Sequence, residues 1–137
     1  MKHRIGYLGI VTVALQLVAA QTQSGKSKPE GDPLIGDWLG DSICVVHPSA
    51  CHDEKALYRI KKSGGTPNDY SIEADKIVDG KPVSMGTMEC TYAAERHALT
   101  CSTSKLLLHL TLDGKNLTGT MNLADGTVWR NITLRHD

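Results

Sequence analysis

Phenylalanine is missing from all 137 residues, and the chain has only two tryptophans and four tyrosines. The interior must therefore be built from Leu, Ile, Val and Met, with Trp38 and a few Tyr as its only large rings. No long apolar stripe at helical spacing runs through the chain, which excludes a helical bundle. Cysteine pairs of the Cys-x-x-Cys kind are absent, so the usual zinc knuckle is excluded. No glycine loop of the phosphate-cradling type occurs, and no nucleophile elbow surrounds any serine. Covalent catalysis has no visible candidate, an enzyme is the less favoured reading, and no cofactor is implied. An excess of one charge is lacking as well: Lys plus Arg and Asp plus Glu number 15 each. A nucleic-acid partner would call for a basic surplus, so this balance argues against one.

The N-terminus reads as a targeting segment. Lys2, His3 and Arg4 precede an almost wholly apolar run from Ile5 to Val18, and Val18-Ala19-Ala20 offers small residues to signal peptidase. The run falls short of the ~20 residues that span a bilayer. Residues 1–20 are therefore expected to be removed before Gln21, leaving no membrane span and placing the protein in a secreted or periplasmic compartment. Residues 21–33 are rich in Ser, Lys, Gly and Pro without periodicity, the pattern of a flexible leader. Residues 34–137 remain for one small domain, a size at which covalent staples contribute usefully.

Cys44, Cys51, Cys90 and Cys101 all lie in that domain, and an even count in an exported chain implies disulfides. Three pairings are possible. The local one, Cys44 with Cys51 and Cys90 with Cys101, is preferred, because a turn near Glu95-Arg96 would set Cys90 opposite Cys101 on neighbouring strands.

Apolar and polar residues alternate repeatedly after residue 36, between clusters of turn residues, which predicts about eight short strands in sequential order and an all-β, antiparallel up-and-down barrel. Asp79-Gly80, Asp113-Gly114 and Asp125-Gly126 suit two-residue hairpin turns. Centred on Asp113-Gly114, Leu110 pairs with Leu117, Leu108 with Gly119 and Leu106 with Met121. Centred on Asp125-Gly126, Leu123 pairs with Val128, Met121 with Arg130, Gly119 with Ile132 and Leu117 with Leu134. Both turns put the same residues on one face. The Asp79-Gly80 hairpin would bury Ile72, Ala74, Val83 and Met85. With Met85 inward, strict alternation turns Cys90 outward, against the inward position of Cys101, so a bulge or a longer connection has to intervene.

Gly36-Asp37-Trp38 opens the first strand and Arg130 lies on the apolar face of the last. A Gly-x-Trp opening with an Arg in the final strand resembles the lipocalin and calycin group of eight-stranded barrels, and in particular short lipocalin-like domains of bacterial exported proteins. The same opening also occurs in avidin-like and protease-inhibitor barrels. The resemblance implies that Trp38 and Arg130 form a structural pair, the Arg packing over the ring and closing one end of the barrel.

The densest cluster of polar groups is His47 with His52, Asp53 and Glu54, in or beside the first cysteine loop. Imidazole and carboxylate could coordinate a divalent metal, whereas the plainer reading is a solvated loop whose carboxylate caps backbone amides. His97 is expected in a turn and His109 on the outer face, and two N-glycosylation sequons begin at Asn116 and Asn131. A barrel of this size can keep a cavity, and Ile72, Met85, Leu106, Leu108 and Met121 are the expected lining for a small apolar or amphipathic ligand. The alternative is a solid barrel whose loops bind or inhibit another protein.

Overall fold

A computed structural model describes residues 31–46 and 50–137, together with Gly9. The rest of the expected targeting segment, residues 21–30 of the leader, and His47 lie outside the described residues. Eight strands follow one another: β1 (Gly36–Cys44), β2 (Glu54–Lys62), β3 (Asp69–Val78), β4 (Lys81–Ala93), β5 (Ala98–Ser102), β6 (Leu106–Asp113), β7 (Asn116–Leu123) and β8 (Val128–His136). Each pairs antiparallel with the next, and β8 returns to β1 from Trp38↔His136 to Cys44↔Arg130, so the sheet closes into a barrel with no free edge. Among the described residues no helix is long and apolar enough to cross a membrane.

Alternation builds the interior. Trp38, Ser42 and Cys44 point inward from β1, Ala56, Tyr58 and Ile60 from β2, Leu108, Leu110 and Leu112 from β6, and Arg130, Ile132 and Leu134 from β8. Each fully buried Leu or Ile contributes roughly 1.5–3 kcal/mol, which is how a core without phenylalanine holds. His97 adopts a left-handed conformation in the turn after the 3-10 segment Ala94–Arg96, and His109 is exposed on the outer face.

The hairpins differ from expectation in three ways. In β6–β7 the pairing runs from Asp113↔Asn116 through Leu108↔Met121 to Leu106↔Leu123, so the central turn residues are Gly114 and Lys115. Gly114 takes φ 58° at the first of them, which a glycine adopts without strain. The slip amounts to two residues and leaves every side chain on its expected face. In β7–β8 the pairs Met121↔Arg130, Gly119↔Ile132 and Leu117↔Leu134 form as expected, but a shift after Met121 pairs Asn122 with Val128 in place of the expected Leu123↔Val128. In β3–β4, Asp79 and Gly80 have φ 49° and 76°, a two-residue turn, and Ile72 and Ala74 are buried, but Val83 and Met85 are each 43% exposed. The cause is a bulge: Ala74 pairs with Gly86 and Asp75 with Ser84, leaving Met85 as an extra residue. Beyond it the hairpin tip stands clear of the core, and before Cys90 the alternation is reset so that Met88 and Cys90 face in. β5 then pairs with β6 so that Cys101 stands opposite Leu108.

Both local disulfides form. Cys90 and Cys101 occupy directly paired positions of β4 and β5, and Cys44–Cys51 ties the end of β1 to the approach to β2. They close short loops, separated by 7 and 11 residues. On chain-entropy grounds, replacing either pair by alanine is expected to cost about 2–3 kcal/mol. Urea unfolding of the Cys90→Ala/Cys101→Ala protein measures this, and an unmoved midpoint would show that the bridge does not restrain the unfolded chain.

Candidate functional site

The two ends of the barrel are finished differently. At one end the turn 32–35 folds across the opening and Leu34, fully buried, plugs it. Trp38 sits above the plug and donates from Nε1 to the Leu34 carbonyl at 2.9 Å, while the His136 ring meets Trp38 edge-on with centroids 4.8 Å apart. His136 Nε2 is also 3.0 Å from the Ile35 carbonyl. Asp32 anchors the turn. It accepts from the Leu34 N–H at 3.0 Å and the Tyr70 hydroxyl at 2.6 Å, with Lys62 Nζ at 3.3 Å. Burial alone would raise the Asp32 carboxyl, but those hydrogen bonds and Lys62 outweigh it and hold it below its ordinary value.

The expected pairing of Trp38 with Arg130 does not occur. Trp38 lies opposite His136 and Arg130 opposite Cys44, six positions apart along β1, which is about 20 Å of extended chain. The antiparallel return brings the last residues of β8, not its first, to the start of β1. The ring partner of Trp38 is therefore His136, and the aromatic partner of Arg130 is its neighbour Trp129, 4.8 Å from the guanidinium carbon.

At the Arg130 end the barrel is not filled. A pocket of about 270 Å³ opens there, its apolar wall formed by Met85, Met88, Leu106, Met121 and Trp129. Its polar lining comprises Ser42, Glu54, Tyr58 and Arg130, with Thr87 and Thr103 among the methionine and leucine side chains. Arg130 is only 6% exposed, and Nη1 donates to the Ser42 carbonyl at 3.3 Å, the Ser42 hydroxyl at 3.2 Å and the His52 carbonyl at 3.0 Å. The Glu54 carboxylate lies 3.6 Å away and offsets its charge. A buried guanidinium without such partners would be severely destabilising, so this cluster also fixes how β8 meets β1 and the β1–β2 loop. Tyr58 is 1% exposed, and its hydroxyl has no hydrogen-bond partner among the described residues. Burial, aided by Glu54 and opposed by Arg130, pushes it up to about 12.

Of the five expected lining residues, Met85, Leu106 and Met121 meet at the pocket. Ile72 and Leu108 do not line it; both are fully buried in the filled part of the barrel below. Met85 reaches the rim because the bulge places it there. Tyr58 is legible by parity, between the inward Ala56 and Ile60. Trp129 is not: strict alternation with Arg130 points it outward, yet next to the register shift opposite Met121 and Asn122 it packs partly against the core.

The acidic loop residues have structural partners. Asp53 Oδ1 caps the Cys44 N–H at 2.8 Å, Glu54 faces Arg130, and His52 contributes its backbone carbonyl. Among the described residues no group of three or more His, Cys, Asp or Glu side chains is placed to hold a metal ion. His47 lies outside them.

No protein-family model matches this chain, and a search of the curated proteins found no relative. The pocket is therefore the ground for a functional reading.

Proposed function

We propose that this protein is an exported binder of a small amphipathic molecule, held at the Arg130 end of a lipocalin-like barrel. One observation carries the reading: a barrel otherwise packed with its own side chains keeps a pocket of about 270 Å³ that joins a methionine-rich apolar wall to the buried polar residues Ser42, Tyr58 and Arg130. That volume lies just under the ~300–1,000 Å³ of typical ligand sites, so the ligand is small. Three of the wall residues are methionines, whose flexible thioethers adapt to ligand shape. The two disulfides are compatible with an oxidising compartment, in keeping with the export signal read from residues 1–20. The alternative, a solid scaffold acting through its loops on another protein, draws support from the filled lower half of the barrel, but it leaves the pocket unused.

Trp129 lines the pocket and Trp38 lies at the opposite end, so intrinsic fluorescence can report on the site. Titration with octan-2-one, octanoate or octylammonium is expected to give a saturable change for at least one probe, and Trp129→Phe is expected to remove it. Non-saturable responses to all three, the same with and without Trp129, would exclude ligand binding here and leave the scaffold reading.

A further inference from the structure

The polar side of the pocket specifies more than a generic amphiphile, an inference that rests on the pocket being a ligand site. Two buried polar side-chain atoms lack a hydrogen-bond partner among the described residues, the Tyr58 hydroxyl and Asn122 Oδ1, and of the two residues only Tyr58 lines the pocket. A buried hydroxyl with no partner among the described residues opposes folding unless something else supplies one, and phenylalanine would bury the same ring without that cost. Because Tyr58 lines the pocket, a molecule bound there is the candidate partner for this hydroxyl.

Charge narrows the choice of partner. Arg130 and Glu54 face each other, so the pocket carries one positive and one negative group and no net charge. Arg130 Nη1 is already engaged by the Ser42 carbonyl and hydroxyl and by the His52 carbonyl. A carboxylate head would bring a second negative charge beside Glu54, and an ammonium head a second positive charge beside Arg130. Either would leave the pocket with a net charge beside a wall of Met, Leu and Trp, which solvates charge poorly. An uncharged oxygen avoids both penalties and satisfies the hydroxyl.

We propose that the ligand is a neutral amphiphile with a carbonyl oxygen (ketone, ester or amide) that accepts a hydrogen bond from the Tyr58 hydroxyl, its hydrocarbon body lying against Met85, Met88, Leu106 and Met121. Because burial pushes the Tyr58 hydroxyl up to about 12, it remains a proton donor throughout the physiological range.

Calorimetric titration of the disulfide-intact protein with octan-2-one, octanoate, octylammonium and the headless oct-1-ene tests this. The ketone is expected to bind about tenfold or more tightly than either ion. Tyr58→Phe is expected to weaken the ketone about tenfold, the value of one well-made hydrogen bond. It should leave oct-1-ene unchanged and unfold at a higher denaturant concentration than the parent, because an orphan hydroxyl has gone. Glu54→Gln, which leaves Arg130 uncompensated, is expected to shift preference towards octanoate. Oct-1-ene binding combined with equal or tighter binding of octanoate by the parent protein, or with ketone affinity indifferent to Tyr58→Phe, overturns the carbonyl assignment while the pocket stands. So does a Tyr58→Phe protein that is less stable than the parent. Failure of all four probes to bind overturns both the assignment and the site.

Discussion

Gly119→Ala is expected to cost at least ~3 kcal/mol, the upper end of ordinary overpacking, and to leave little of the ~5–15 kcal/mol that holds a domain of this size. A Cβ at Gly119 would lie 1.8 Å from the His109 carbonyl oxygen and 2.8 Å from its carbon. These are backbone atoms of β6, already fixed by the ladder in which Leu110 pairs with Gly119. A side chain can swing aside, but a paired strand cannot move without losing hydrogen bonds. Gly40 in β1 makes the same approach to β8, its Cβ falling 1.9 Å from the Thr133 carbonyl oxygen. Both glycines stand at inward positions where the neighbouring strand's backbone comes too close for a side chain. Urea unfolding measures the effect, with Gly65→Ala as the control, since a Cβ there meets nothing within 4 Å. A Gly119→Ala protein unfolding within about 0.5 kcal/mol of the parent would mean that the wall relaxes freely at this point, contrary to the close approach.

Trp38→Ala is expected to cost about 3–5 kcal/mol, the range for deleting a large buried aromatic side chain. The ring is fully buried, its Nε1 hydrogen bond holds the Leu34 carbonyl, and its face receives the edge of His136. Losing it unseats Leu34 and with it the turn that seals that end. At about 4–8 °C per kcal/mol for a domain of roughly this length, the thermal midpoint falls by roughly 12 °C or more. Ligand affinity of the protein that remains folded is expected to change far less than stability, because Trp38 does not line the pocket and adjoins it only through its cross-strand neighbour Tyr58. Calorimetric unfolding followed by titration below the midpoint checks both halves. A small thermal shift accompanied by lost binding would place Trp38 in the site and contradict the arrangement described.

The barrel is readable in the sequence because its signals are local. Asp79-Gly80 and the alternation around Leu108, Leu110, Leu117 and Leu134 each fix a hairpin or a face without reference to the rest of the chain. A slip of two residues, as at Gly114-Lys115, does no harm, since faces repeat every second residue. What depends on closure is not readable. Arg130 and His136 have the same parity, and only the β1–β8 register decides that His136 reaches Trp38. The need for a bulge is legible in the conflicting parities of Met85 and Cys101. Its position is not, because Gly86, which takes φ 120° there, looks like any other strand glycine. In the site, Leu106 and Met121 follow from apolar parity, whereas Met85 arrives through the bulge. The missing partner of Tyr58 is a property of the assembled interior and has no signature along the chain.

The extra residue in β4 divides the long hairpin into a segment locked by Cys90–Cys101 and an exposed overhang, from Val78 to Met85, whose last residue lines the pocket. Insertions or deletions in the overhang alter the shape of the entrance without changing which way any residue of the locked segment points. The entrance can thus be re-cut for a different guest while the wall behind it keeps its frame.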